Sequence, residues 1–249
     1  MYTTLENNNS ATGILRFAKI LLENAWDLVT VNLVGCLCML PAAVSFLAVL
    51  LAVQNFWLAF FAGMLFGIPI GGAISAIEKV SLEIVREREG KAVTTFWETF
   101  RGEWKQSIPL GWMAYFEIMV IVFAILFHKE INAFEMPVRL WALLVIVLLF
   151  LHIVLTYSFS QQVLIELSLW KLLKNSVILF FSNFGKSMLC LFITLAILGV
   201  LFILVPFSLL FILLLGFSLV SLIRQLFVWP IMNRLFSIDE RQAAGRKEI

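Results

Sequence analysis

The chain has 249 residues, 62% of them hydrophobic and 14% charged. Soluble domains carry about a quarter charged residues, so a soluble globular protein is excluded. The net charge is +2 and no basic tract stands free of acidic residues, so nucleic acid is not an expected partner. Separate apolar runs of about 20 residues suit helices and not the short alternating strands of a barrel. The expected fold class is therefore all-α, a polytopic transmembrane helical bundle with the lipid bilayer as its first partner.

In chain order, residues 1–13 are polar and include Asn7, Asn8, Asn9 and Ser10; they read as a disordered N-terminus. A single transmembrane domain is expected over 14–230, followed by a polar tail, 231–249. Residues 14–27 alternate an apolar stripe (Ile14, Phe17, Leu21) with Arg16, Lys19 and Glu23, the pattern of a helix lying on the membrane surface. A first span is expected at about 28–51, kinked by Pro41. It is too long for a signal-peptide core and no small-residue cleavage site follows, so it is expected to stay. The apolar stretch from Leu28 to Ile77 would be about 75 Å long as one helix, against a bilayer core of about 30 Å. It must turn, at Gln54 and Asn55, into a second span at 56–77.

In that second span Ala59, Gly63, Gly67, Gly71 and Ser75 recur every four residues. On one uninterrupted helix they would share a smooth face that admits close backbone approach. Such a face suits packing inside one chain, a homodimer seam, or a substrate path. The charged segment 78–107 follows. It contains a surface-helix stripe of Val93, Phe96, Trp97, Phe100 and Trp104. A third span is expected at 108–127, the loop HKEINAFEMPVR after it, and a fourth span at 140–158. Residues 159–187 hold another surface stripe: Leu169, Trp170, Leu173, Val177, Phe180, Phe181 and Phe184. Spans five and six are expected at 188–205 and 207–229, divided at Pro206. With six spans, fifteen Lys and Arg residues fall on one side and only Lys129 and Arg139 on the other. Positive loops stay in the cytoplasm, which places both termini and both surface stripes there.

Little chemistry is on offer. The sequence lacks H-E-x-x-H, G-x-S-x-G and a phosphate-binding glycine loop, and GKS at 185–187 has no upstream glycine. Cys36 and Cys38 point to different helix faces and read as packing residues. No catalytic, cofactor-binding or metal-binding residue is assigned, and no enzyme activity is expected. Three ionisable residues do lie inside spans: Glu117, His152 and Arg224. Each costs roughly 2.5–3.5 kcal/mol at mid-bilayer unless it has a partner or a cavity. Counted from the cytoplasmic side they sit roughly 14, 9 and 8 Å deep. They can meet if spans three, four and six adjoin. Such a cluster suits a structural polar contact with Arg224 snorkelling, a proton or solute site, or a neutral Glu117 facing lipid.

Three stretches occur in a telling order: AWDLVTVNLVGCLCMLP at 25–41, REREGKAVTTFWETFRGEWKQS at 86–107, and ELSLWKLLKNSVILFFSNFGKS at 166–187. The chain resembles the YesL-like family of bacterial membrane proteins, a domain of unknown function. It departs from the family in the long apolar stretch between LPAAVSF and GIPIGGAISA (67–76). The resemblance implies a bacterial plasma-membrane location and an association with carbohydrate uptake of the ABC type. An ABC-type sugar permease is then the implied protein partner; a second copy of the chain is the partner that the small-residue face of the second span would suit. The expectation is a non-enzymatic protein accessory to or part of such a system. The alternatives are a small secondary transporter using the Glu117 cluster, and a structural or regulatory membrane scaffold.

Overall fold

The computed structural model describes residues 14–88, 90–127, 138–165 and 167–236. The stretch read as a disordered N-terminus, residues 128–137 of the polar loop and the last 13 residues of the tail lie outside them. All regular structure among the described residues is helical.

Helix α1 (Ile14–Glu23) stops at Asn24, whose backbone N–H and side-chain amide both bond the Ile20 carbonyl, at 3.1 and 2.9 Å. Helix α2 (Ala25–Val53) starts at once and runs through Pro41. It ends at Gln54, which takes the left-handed conformation (φ 53°) and bonds back to Leu50. Asn55 then caps α3 (Phe56–Phe66), its side chain accepting from the Leu58 N–H at 3.0 Å. These two polar residues therefore make the hairpin: one ends a helix and the other begins the next.

The second span differs from the expectation of one straight helix. It breaks after α3, and α4 (Pro69–Val85) leaves at an angle of 55°. Proline at a helix start is pre-organised for it and has no N–H to carry the hydrogen-bond ladder on from α3. Gly67 and Ile68 thus become the corner, and the five small residues do not share one helix face. Helix α4 ends where α1 lies, with Arg16 4.0 Å from Glu87.

A second difference concerns α5 (Ala92–Leu126). The expected surface helix and third span are one 35-residue helix running through Pro109. At about 52 Å it outreaches a 30 Å core. Hydropathy marked where it leaves the apolar layer, not where it ends. Its stripe packs inward only in part, since Val93, Trp97 and Trp104 are exposed. Phe96 is fully buried beside Ala76, Ile77 and Val80 and lies parallel to Phe100 (11° between rings).

Helix α6 (Val138–Gln162) continues past the expected end at 158. Helix α7 (Leu169–Ser182) buries Leu172, Ser176, Leu179 and Phe180, while Trp170, Phe181 and Phe184 are exposed. Its inward stripe is thus rotated from the one read off the aromatic spacing. Helices α8 (Phe184–Ile203) and α9 (Ser208–Phe236) complete the chain. Ile231 and Met232, read as the start of the tail, are buried near the end of α9. Among the described residues five helices (α2, α5, α6, α8 and α9) are long and apolar enough to cross a membrane, and the broken α3–α4 pair makes up to six. This is a polytopic helical membrane bundle.

Its burial is that of a membrane protein. Leu37, Leu51, Phe61 and Phe192 are exposed, whereas Asn32, Ser75, Glu78, Ser107, Ser160 and Gln225 are buried. Lipid tails solvate leucine as well as a core does, so the interior goes to small and polar residues. Helix α4 is central: twelve of its seventeen residues are buried. Asn32 shows the polar rule at work. Helix α9 opens into a π-turn at Ile212–Gly216. The Asn32 amide donates to the Ile212 and Leu213 carbonyls (3.0 and 2.7 Å) and accepts from the Ser218 N–H (2.9 Å). One side chain on α2 thus satisfies the backbone groups that the irregular turn frees, which hydrocarbon could not do.

A candidate intramembrane polar site

Helix α4 holds its neighbours at two levels. At the upper level it touches α5 backbone to backbone. A Cβ on Gly71 would lie 1.9 Å from the Ser107 carbonyl oxygen, and one on Gly111 would lie 2.4 Å from the Gly71 nitrogen. Ser75 and Ser107 hydroxyls are 3.0 Å apart. The contact is therefore reciprocal: Gly71-x-x-x-Ser75 on α4 against Ser107-x-x-x-Gly111 on α5. The α5 half had gone unread because Pro109 sits in its middle. Of the other small residues, Gly63 lies under the Tyr115 ring and Ala59 is buried beside Phe46 and Phe56. Gly67 sits at the corner, facing its own chain.

Seven residues below Gly71, Glu78 begins a row of ionisable groups that ties four helices. Glu78 on α4 accepts from Arg224 on α9 (Nη1 to Oε1, 3.3 Å). Arg224 Nη2 lies 3.2 Å from His152 Nε2 on α6. His152 Nδ1 lies 2.9 Å from Glu117 Oε1 on α5. Arginine can only donate, so His152 Nε2 must be the accepting nitrogen and Nδ1 carries the hydrogen toward Glu117. The second Glu78 oxygen accepts from Gln225 (2.7 Å), which also bonds Ser160 (3.1 Å). Glu78 is 1% exposed. The structure brings Glu117, His152 and Arg224 together. Among the described residues, Glu117 reaches Arg224 only through His152.

Glu78, Gln225 and Ser160 were missed. Glu78 was grouped with the charged segment because Lys79 follows it. A signal existed: Gly71, Ser75 and Glu78 fall at i, i+4 and i+7, on one helical stripe. The polar run TYSFSQQ (156–162) was likewise cut by an expected span end, yet Thr156, Ser158, Ser160, Gln161 and Gln162 are all buried. Gln162 bonds Ser107 (2.6 Å) and Glu103 (3.3 Å), while Ser176 on α7 meets Ser158 (2.9 Å) and Gln161 (2.8 Å). Lys79 closes the end of α6 by donating to the Val163 carbonyl at 3.2 Å.

Beside His152 lies a cavity of about 20 Å³ between α6, α8 and α9, room for a single water. Among the described residues no three His, Cys, Asp or Glu side chains gather to hold a metal ion.

Residues 50–125 match the family described as a protein of unknown function, DUF624. This stretch is similar to the DUF624, or YesL-like, family. No curated protein and no solved structure matches the chain. The DUF624 match covers the last turn of α2, the broken α3–α4 pair and nearly all of α5. It therefore contains the whole Gly71–Ser107–Gly111 crossing and both carboxylates of the row. His152 and Arg224 are supplied from outside the matched DUF624 stretch.

Proposed function

We propose that the protein is a non-enzymatic, multi-pass protein of the bacterial plasma membrane, working as a companion or component of a carbohydrate-uptake system beside an ABC-type sugar permease. The observation that carries this reading is the filling of the polar row. Its charged groups bind one another, and the void beside them has room for one water. A network so occupied ties helices together and offers no room for a sugar. That leaves the outer surface as the working part. Helix α7 is suited to docking, with Trp170 76% exposed and flanked by Lys171 and Lys174. The resemblance supplies the class of partner. Affinity purification from native membranes tests the reading. Recovery of a sugar permease with the tagged wild-type protein, lost in a Trp170→Ala/Lys171→Glu/Lys174→Glu variant, is the expected result. Purification without any permease subunit would sink it.

A secondary transporter is the second reading, favoured by a broken span packed against an intramembrane charged row, an arrangement transporters use. Solute flux into liposomes holding only this protein would decide for it. For orientation, the asymmetry of basic residues places both termini in the cytoplasm. A cysteine at position 133 is then labelled from outside intact cells, and one at position 89 only after permeabilisation.

A further inference from the structure

We infer that the Glu117–His152–Arg224–Glu78 row is a proton-binding site, loaded at His152 through the small cavity beside it. The inference does not depend on the permease partnership.

Charge is the first ground. With Arg224 and both carboxylates ionised and His152 neutral, the row holds two negative charges and one positive. An uncompensated charge is expensive inside a bundle surrounded by lipid. One proton restores balance.

Hydrogen-bond direction is the second. His152 Nε2 accepts from Arg224 at 3.2 Å, and Nδ1–H donates to Glu117 at 2.9 Å. A proton bound to the Nε2 lone pair would set N–H against N–H, so the Arg224 contact must break. Arg224 keeps Glu78, and the imidazolium keeps Glu117. The four-group row then separates into two neutral ion pairs, one joining α5 to α6 and the other joining α4 to α9. A hydronium O–H bond of the solvent breaks as the N–H bond forms, leaving water, and no oxidation state changes. Protonation is thus a discrete event that breaks the ionic link between α6 and α9, which stay joined through Gln225 and Ser160.

Access is the third. The cavity borders His152 and is lined by Tyr157, Ser187, Cys190 and Thr194, with Lys186 at its exposed edge. Tyr157 and Ser187 hydroxyls are 2.7 Å apart and complete a polar wall. One water there would stand beside the imidazole, reaching Nε2 once Arg224 turns away, and next to hydroxyl groups that approach the exposed end of α8. The groups facing His152 are then Glu117 from α5, Arg224 from α9 with Glu78 of α4 behind it, Lys186 and Cys190 from α8, and Tyr157 from its own helix.

The chain has two histidines, His128 and His152. A His128→Gln variant therefore leaves a single imidazole for nitrogen NMR in lipid nanodiscs. At alkaline pH the neutral ring is expected to carry its hydrogen on Nδ1. On acidification, with folding followed by circular dichroism, Nε2 gains a hydrogen before the bundle unfolds and its coupling to the Arg224 guanidinium disappears. A neutral ring protonated on Nε2, or a ring that stays neutral until unfolding, overturns the proposal. If His128→Gln fails to fold, the wild-type spectrum minus that of His152→Gln gives the same resonances. Ser187→Leu fills the cavity and should slow exchange of the ring hydrogen about tenfold, the kinetic equivalent of losing one modest hydrogen-bonded step. Unchanged exchange in a folded Ser187→Leu protein removes the access route and with it the proposal as stated.

Discussion

Gly71 and Glu78 stand seven residues apart on one stripe of α4, about 10 Å along its axis, and they hold the bundle in opposite ways. At Gly71 nothing separates two backbones, and the contact has no chemistry beyond shape. At Glu78 side chains make the contact, and a carboxylate reaches Arg224 and Gln225 on another helix. The comparison shows what replaces the hydrophobic effect between helices in lipid. One solution removes side chains so that dispersion and packing act over the shortest distance. The other inserts polar groups whose exposure to lipid would be worse than their pairing. The first tolerates no added atom. The second tolerates changes that keep a hydrogen-bond partner.

Adding atoms at the crossing should have the largest effect. Gly71→Leu and Gly111→Leu drive a side chain into backbone that cannot yield, beyond the roughly 1–3 kcal/mol of ordinary overpacking. Loss of most folded yield in detergent is expected; a variant with wild-type yield and melting temperature would show that the crossing is looser than described. Removing one partner from the charged level comes next. Glu78→Leu strands the Arg224 guanidinium and should lower stability by about 3–5 kcal/mol, with Glu78→Gln far milder. Adding Arg224→Leu to Glu78→Leu should recover part of the loss, and a double-mutant cycle on melting temperature measures how much. Strict additivity would mean that the pair does not act as a pair.

Smaller effects sharpen the contrast. Glu117→Gln keeps an acceptor for His152 Nδ1 and should cost about 1 kcal/mol or less, near the average for hydrogen bonds between membrane helices. Glu117→Leu should cost more, and a cycle with His152→Leu reads the coupling. Gly102→Ala should be the mildest. A Cβ there meets nothing within 4 Å, on the same helix as Gly111. Helix propensity then favours alanine by up to about 1 kcal/mol, so a small rise in melting temperature is expected. A fall would reveal a contact at Gly102.

Much of this was legible along the chain. The hairpin at Gln54–Asn55 could be read because a polar pair interrupts fifty apolar residues, and each of the two has one local capping task. Glu117, His152 and Arg224 stood out because charge inside an apolar run is rare. The corner at Gly67–Ile68 was harder, since Pro69 opens α4 and the apolar character continues unbroken across the bend. The continuity of α5 was harder still. A change from charged to apolar residues looks like a boundary, but backbone hydrogen bonds continue through it.

The sequence by itself determined the class of the protein, the approximate apolar helices and the presence of three ionisable residues inside apolar runs. Those depend on composition and on spacing within one helix, and both are local. Only the tertiary structure decided what those residues meet. Arg224 lies 146 residues from Glu78, and Asn32 lies 180 residues from the carbonyl of Ile212 that it satisfies. Hydropathy treated Glu78 as the first residue of a charged segment. Burial made it the end of the ionic row, because α9 approaches α4 at that level and brings a guanidinium with it. A helix face records which side is small or polar. Which partner answers it depends on the arrangement of the other helices, and that is set by all the contacts at once.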